Sequence, residues 1–94
     1  SERPPIEQFE GGRVSARADV RYDELVSRLR LDLDPEDCTD TLAQLVVERL
    51  ERVPRPGDSV ETDLGVLRVE NMARRRVTRV SVQLRPELLT GPSA

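Results

Sequence analysis

The chain has 94 residues, a formal charge of −3 and 35% charged residues, with no histidine and no lysine; all 15 basic residues are arginine and Cys38 is the only thiol. Zinc sites of the usual kinds, Ser–His and Cys–His nucleophile pairs, lysine Schiff bases and an intrachain disulfide are therefore excluded. Phe9 and Tyr22 are the only aromatics, which leaves almost no platform for stacking bases or flat cofactors.

A chain of this length makes one domain with a modest core, burying roughly 60–65% of its unfolded surface. Residues 1–8 begin Ser-Glu-Arg-Pro-Pro, show no apolar period and read as a linker from a preceding domain. Gly11-Gly12 marks a turn, after which Val14, Ala16, Ala18 and Val20 alternate with polar residues and predict a strand near 13–19. The period then changes: Tyr22, Leu25, Val26 and Leu29 fall on one face of a short helix. Asp23 and Glu24 in its first turn and Arg28 and Arg30 in its last suit the helix dipole.

Leu31 to Pro35 ends that helix. A second begins at Thr41, where Thr41-Leu42-Ala43-Gln44 matches a capping box. Leu42, Leu45, Val46 and Leu50 form its apolar stripe, Pro54 stops it, and Glu48, Glu51 and Arg52 read as its solvated face with i,i+4 support. Pro56-Gly57 is a turn before a short strand at 59–62, and Asp63-Leu64-Gly65 reverses the chain. Residues 66–72 and 76–84 make a hairpin across Ala73-Arg74-Arg75. The three-residue step from Val77 to Val80 breaks the alternation and predicts a bulge or the turn's edge. Pro86 closes the ordered part, and residues 87–94 read as a tail. The predicted fold is α+β, a β-α-α-β-β-β two-layer sandwich with a mostly antiparallel sheet and two short helices on one face.

Charge is unevenly placed. Residues 66–85 carry six arginines against Glu70, whereas the first 65 carry nine arginines against sixteen acids. Arg68, Arg74, Arg75, Arg76 and Arg79, with Arg85, are the candidate partner- or anion-binding residues, because the guanidinium fork suits phosphates and carboxylates. Strand alternation places Arg68, Arg74 and Arg76 on one face and Arg75 on the other. The structural reading beside this one is a hairpin edge kept charged to block edge pairing.

The acidic stretch Asp32, Asp34, Glu36, Asp37 and Asp40 fails as an EF-hand, because Asp37 stands where glycine is needed and Ala43 where glutamate is needed. It reads as a solvated loop, and no metal residues are assigned. Cys38 lies among acids, which disfavour the thiolate a nucleophile needs. No catalytic residues and no cofactor are expected. The few aromatics and the acidic pI speak against nucleic acid as a partner. No run approaches the ~20 apolar residues of a membrane span, so direct membrane insertion is not expected.

The order of elements, together with Tyr22-Asp23-Glu24-Leu25, Leu29 to Leu33, Thr41-Leu42-Ala43, Arg52-Val53-Pro54-Arg55-Pro56-Gly57-Asp58 and the hairpin's Leu67-Arg68-Val69 and Arg76 to Val80, resembles the CorC/HlyC transporter-associated domain over residues 9–86. The family usually has glycine where this chain has Ala18, Gln44 and Glu51, so the local backbone is expected to differ there. The resemblance implies a non-catalytic regulatory or interaction domain at the C-terminal end of a longer bacterial protein, on the cytoplasmic face of the membrane. The parent proteins are associated with magnesium and cobalt efflux and are often called hemolysin-like; related copies sit on cation/proton antiporters. The implied partners are a CBS pair and a membrane domain, with a homodimer as a further expectation. The fold is grouped with a subdomain of the FAD-binding, vanillyl-alcohol-oxidase-type fold. A second reading is a sensor that binds a nucleotide or flavin phosphate on the arginine-rich hairpin.

Overall fold

The computed structural model describes residues 3–89. Five strands form one antiparallel sheet: β1 (Ile6–Gln8), β2 (Arg13–Arg17), β3 (Ser59–Thr62), β4 (Gly65–Ala73) and β5 (Arg76–Leu84), in spatial order β1-β2-β5-β4-β3. Two helices, α1 (Tyr22–Arg28) and α2 (Leu42–Leu50), run between β2 and β3, and short 3-10 turns lie at Glu10–Gly12 and Pro86–Leu88.

The core follows from the two periods read in the sequence. Val14 and Ala16 of β2, Leu67 and Val69 of β4, and Val80, Val82 and Leu84 of β5 turn inward at alternate positions. Leu25 and Val26 of α1 and Leu42, Leu45 and Val46 of α2 close over them. The two-layer α+β architecture is as expected.

Helix α2 starts as the capping box requires. Thr41 Oγ1 accepts from the Gln44 amide at 3.1 Å, and Gln44 Oε1 accepts from the Thr41 amide at 2.7 Å. The next two orphan amides are also satisfied, Leu42 N donating to Val20 O and Ala43 N to Ala18 O, each at 2.9 Å. The helix therefore begins stitched to the chain leaving β2. At its other end Glu51 adopts the left-handed conformation (φ 57°, ψ 28°). The backbone conformation for which glycine is favoured is kept here without glycine.

Two expectations need correcting. Residues 1–8 were expected as linker, yet Ile6–Gln8 pair with Val14–Ala16 as β1. Three residues with one apolar side chain are too short to show a period, so this strand is specified by its partners and not by its own pattern. Likewise the expected tail begins inside the fold: Leu88 is buried, and its carbonyl accepts from Asp32 N at 3.1 Å. Residues 90–94, the rest of that tail, lie outside the described residues.

The broken step between Val77 and Val80 is a real irregularity. Val69 pairs with Val80, Asn71 with Arg79 and Met72 with Val77, so Glu70 and Thr78 are each an extra residue on their strand. The hairpin turns at Arg74-Arg75, between the paired Ala73 and Arg76. Gly65, opening β4 at φ 131°, has no room for a side chain, because a Cβ would stand 2.0 Å from Gln83 O.

Candidate interaction site

The hairpin and its bulge divide the candidate arginines into three groups. Arg74, Arg75 and Arg76 are exposed at the turn. Among the described residues no carboxylate lies within ion-pair distance of any of them, whereas Arg3, Arg17, Arg21, Arg28, Arg52 and Arg79 are all paired.

Arg79 is not available to a ligand, a correction to its expected role. It is only 6% exposed. Alternation with the inward-facing Val80 puts it on the sheet face away from the helices, where Nε donates to Ser15 Oγ at 2.9 Å and Nη2 donates to Pro4 O at 2.8 Å and Glu7 Oε1 at 2.9 Å. Ser15 Oγ also accepts from Arg3 Nη2 and donates to Glu70 Oε1. This network fastens β1 and the residues before it across the sheet.

Arg68 is separated from the tip as well. It sits opposite Ser59 and Ser81 on the helix-free sheet face, between the inward-facing Leu67 and Val69. Its guanidinium lies beside Gly57. The expected grouping of Arg68 with Arg74 and Arg76 is not what the bulged hairpin produces.

The tip instead meets residues that the sequence did not offer as a site. Arg75 lines a concavity of about 600 Å³ with Arg52, Val53, Arg55 and Asp58. On its other side Arg75, with Arg76, borders an open groove of about 660 Å³ whose floor includes Ala18, Ala43, Val47 and Val77. Asp19, Asp40, Gln44 and Glu48 also line it.

The concavity is built on the 52–58 turn. Helix α2 ends at Leu50, so Arg52 is not on its solvated face as expected. Its Nη1 and Nη2 donate to Asp58 Oδ2 and Oδ1 at 2.9 and 3.0 Å, and Arg55 N donates to Asp58 Oδ2 at 2.8 Å. Gly57 N donates to Val69 O and Val69 N to Asp58 O, both at 2.8 Å, which ties the turn to β4. The bidentate Arg52 pair, with the Arg55 amide, holds the Asp58 carboxyl below its ordinary pKa. The Arg-x-x-Arg-x-Gly-Asp pattern across this turn was the signal that could have joined Arg52 and Arg55 to the hairpin.

The acidic stretch is a loop: Asp34 Oδ1 accepts from Glu36 N at 2.9 Å, and Glu36 and Asp37 have positive φ. Among the described residues no three or more Cys, Asp or Glu side chains group so as to hold a metal ion. Cys38 lies partly buried in a small recess with Tyr22, Leu45, Arg49 and Asp63. Burial first, and then Asp63, push the Tyr22 phenol above its ordinary pKa. No helix among the described residues is long and apolar enough to cross a membrane.

Fold and site together define a small α+β domain presenting an arginine-tipped hairpin. Its fold is similar to that of the transporter associated domain of a CBS domain protein from Porphyromonas gingivalis, with a TM-score of 0.73 at 19% identity, covering 87% of this chain and 100% of that one. It is also similar to the CorC-associated region of a proposed Mg2+ and Co2+ transporter from Neisseria meningitidis, with a TM-score of 0.69 at 18% identity over 87% and 100% of the two chains. In sequence it is 29% identical over 80 residues to the UPF0053 protein YegH of Escherichia coli. That match covers 85% of this chain and 15% of YegH, so the chain spans a small part of the curated relatives it matches. The profile of the CorC_HlyC family, the transporter associated domain, matches residues 7–86. The chain belongs to that family.

Proposed function

We propose that this domain is a non-catalytic regulatory part of a longer, membrane-associated magnesium or cobalt transport protein, and that it acts at the cytoplasmic face. It does so by docking its hairpin tip on other domains of that protein, a CBS pair among them. The observation that carries this reading is the tip itself. Arg74, Arg75 and Arg76 stand exposed without a carboxylate partner among the described residues, whereas several other arginines of the domain are paired. Unpaired surface charge of one sign steers association with a complementary surface.

The cation class is supported by the name of the Neisseria relative and the CBS partner by that of the Porphyromonas relative. The absence of histidine and lysine and the single thiol support a role without catalysis. Binding of the domain to the separately expressed remainder of its parent protein, followed calorimetrically, tests the reading. The triple variant Arg74→Glu, Arg75→Glu, Arg76→Glu is expected to bind at least about tenfold more weakly, with a shallower salt dependence. Equal binding by the reversed-charge variant would overturn the assignment of the tip.

A further inference from the structure

We propose that Arg52, Arg55 and Arg75 form a binding site for a phosphate-bearing ligand, with the body of that ligand lying over the apolar floor beside Val47. The hairpin arginines were expected to supply such a site along one strand face; the structure builds it across two elements, from the 52–58 turn and the hairpin tip. These three side chains line one concavity of about 600 Å³. Arg52 and Arg55 come from a turn fixed to β4 by the paired hydrogen bonds of Gly57 and Asp58 with Val69, so their backbone positions are set before any ligand arrives.

Charge selects the ligand class. Asp58 is the one carboxylate among the residues lining the concavity, and both its oxygens already accept hydrogen bonds from Arg52 and from the Arg55 amide. Three guanidinium charges against that one carboxylate leave a net +2. Among the described residues Arg55 and Arg75 have no carboxylate partner, so their forks remain to be filled. Arg52 is committed to Asp58, so two forks face the concavity, and the single charge of a lone carboxylate would leave one of them uncompensated. A phosphomonoester carries about −1.5 to −2 charge at pH 7 and three acceptor oxygens, and planar guanidinium forks match it bidentately.

The second concavity sets where the rest of the ligand goes. Arg75 borders both spaces. Across it Val47, 45% exposed, gives an apolar floor with Ala18, Ala43 and Val77, while Asp19, Asp40 and Glu48, which also line this groove, repel a phosphate and leave it on the Arg75 side. A phosphate held at Arg75 therefore places an attached apolar or planar body on that floor. A soluble nucleotide and an anionic lipid headgroup share this chemistry.

Calorimetric titration of the domain at about 0.15 M salt with AMP, and flotation with phosphatidate vesicles against phosphatidylcholine vesicles, separate the two sources. Binding of AMP assigns a soluble phosphate ester, and binding of phosphatidate vesicles alone assigns a lipid. In either case Arg55→Ala and Arg75→Ala are each expected to weaken binding about tenfold, while Arg28→Ala, on the exposed face of α1, leaves it unchanged. Thermal unfolding of each variant checks that the fold is intact. The proposal is overturned if neither probe binds at millimolar phosphate, or if the Arg55→Ala, Arg75→Ala double variant binds as tightly as the parent sequence. Arg55 lies outside the hairpin tip, so loss of phosphate binding in Arg55→Ala with docking intact separates this site from the docking surface.

Discussion

Arg79 illustrates how one residue's neighbours decide its role. Its side chain is almost wholly buried and bonds to Ser15, Glu7 and the Pro4 carbonyl, so it acts as a clasp between β5 and the chain entering the sheet. Arg79→Leu is expected to destabilise the domain by about 1–3 kcal/mol, the cost of leaving buried polar partners unmatched. Chemical denaturation measures this, and amide exchange at Ile6–Gln8 should quicken in the same variant. Arg76→Ala at the exposed tip should stay within about 0.5 kcal/mol. The left-handed Glu51 is a second single-residue case. A side chain in this conformation costs roughly 1–2 kcal/mol, and among the described residues no hydrogen bond of the Glu51 side chain offsets it. Glu51→Gly is expected to raise the melting temperature, corresponding to about 1 kcal/mol after the entropy glycine adds to the unfolded chain. Asp58 gives a pH signature. Its carboxyl titrates below the ordinary aspartate range because Arg52 and the Arg55 amide favour the charged form. The stability it contributes is therefore present above the unfolded value of about 3.9 and is lost as pH falls through the lower folded value. A carboxyl NMR titration should place its midpoint below that of exposed aspartates, and Asp58→Asn should flatten the acid limb of the stability curve.

At the scale of elements, what could be read in the sequence was what repeats over several residues or matches a local rule. The 3.6-residue spacing of Leu42, Leu45, Val46 and Leu50 and the Thr41–Gln44 cap gave α2, because both signals are local. The alternation of Val80, Val82 and Leu84 gave β5, and its interruption at Val77 located the bulge. Strand β1 was illegible because three residues with one apolar side chain show no period, and what holds them is pairing with Val14–Ala16 and the bond from Arg79, 72 residues from Glu7. The site failed in the same way. Arg75 and Arg76 were recognised as exposed cations, but the meeting of Arg75 with Arg52 and Arg55, and of both with Val47, depends on how the hairpin end falls against α2 and the 52–58 turn. Arg79 was misjudged as available because the chain that covers it, Pro4 to Glu7, was not expected to pack on the sheet.

For the whole molecule, the uneven charge seen in the sequence becomes a division of surfaces. The helix-free sheet face carries Arg3, Glu7, Ser15, Glu70 and Arg79 bonded to one another, a face occupied with holding the entering chain. The hairpin tip and the adjoining concavity bring together Arg55, Arg74, Arg75 and Arg76, none with a carboxylate partner among the described residues. A regulatory domain needs one surface tied to its own fold and another left for a partner, and this division supplies both. The most direct measurement is magnesium and cobalt flux through the full-length protein carrying this domain, reconstituted in vesicles, intact and with Arg74, Arg75 and Arg76 all changed to glutamate. The proposed function gives a changed cation dependence of flux with the same maximal rate, since transport itself lies outside this domain. Identical flux curves for the two proteins would contradict it.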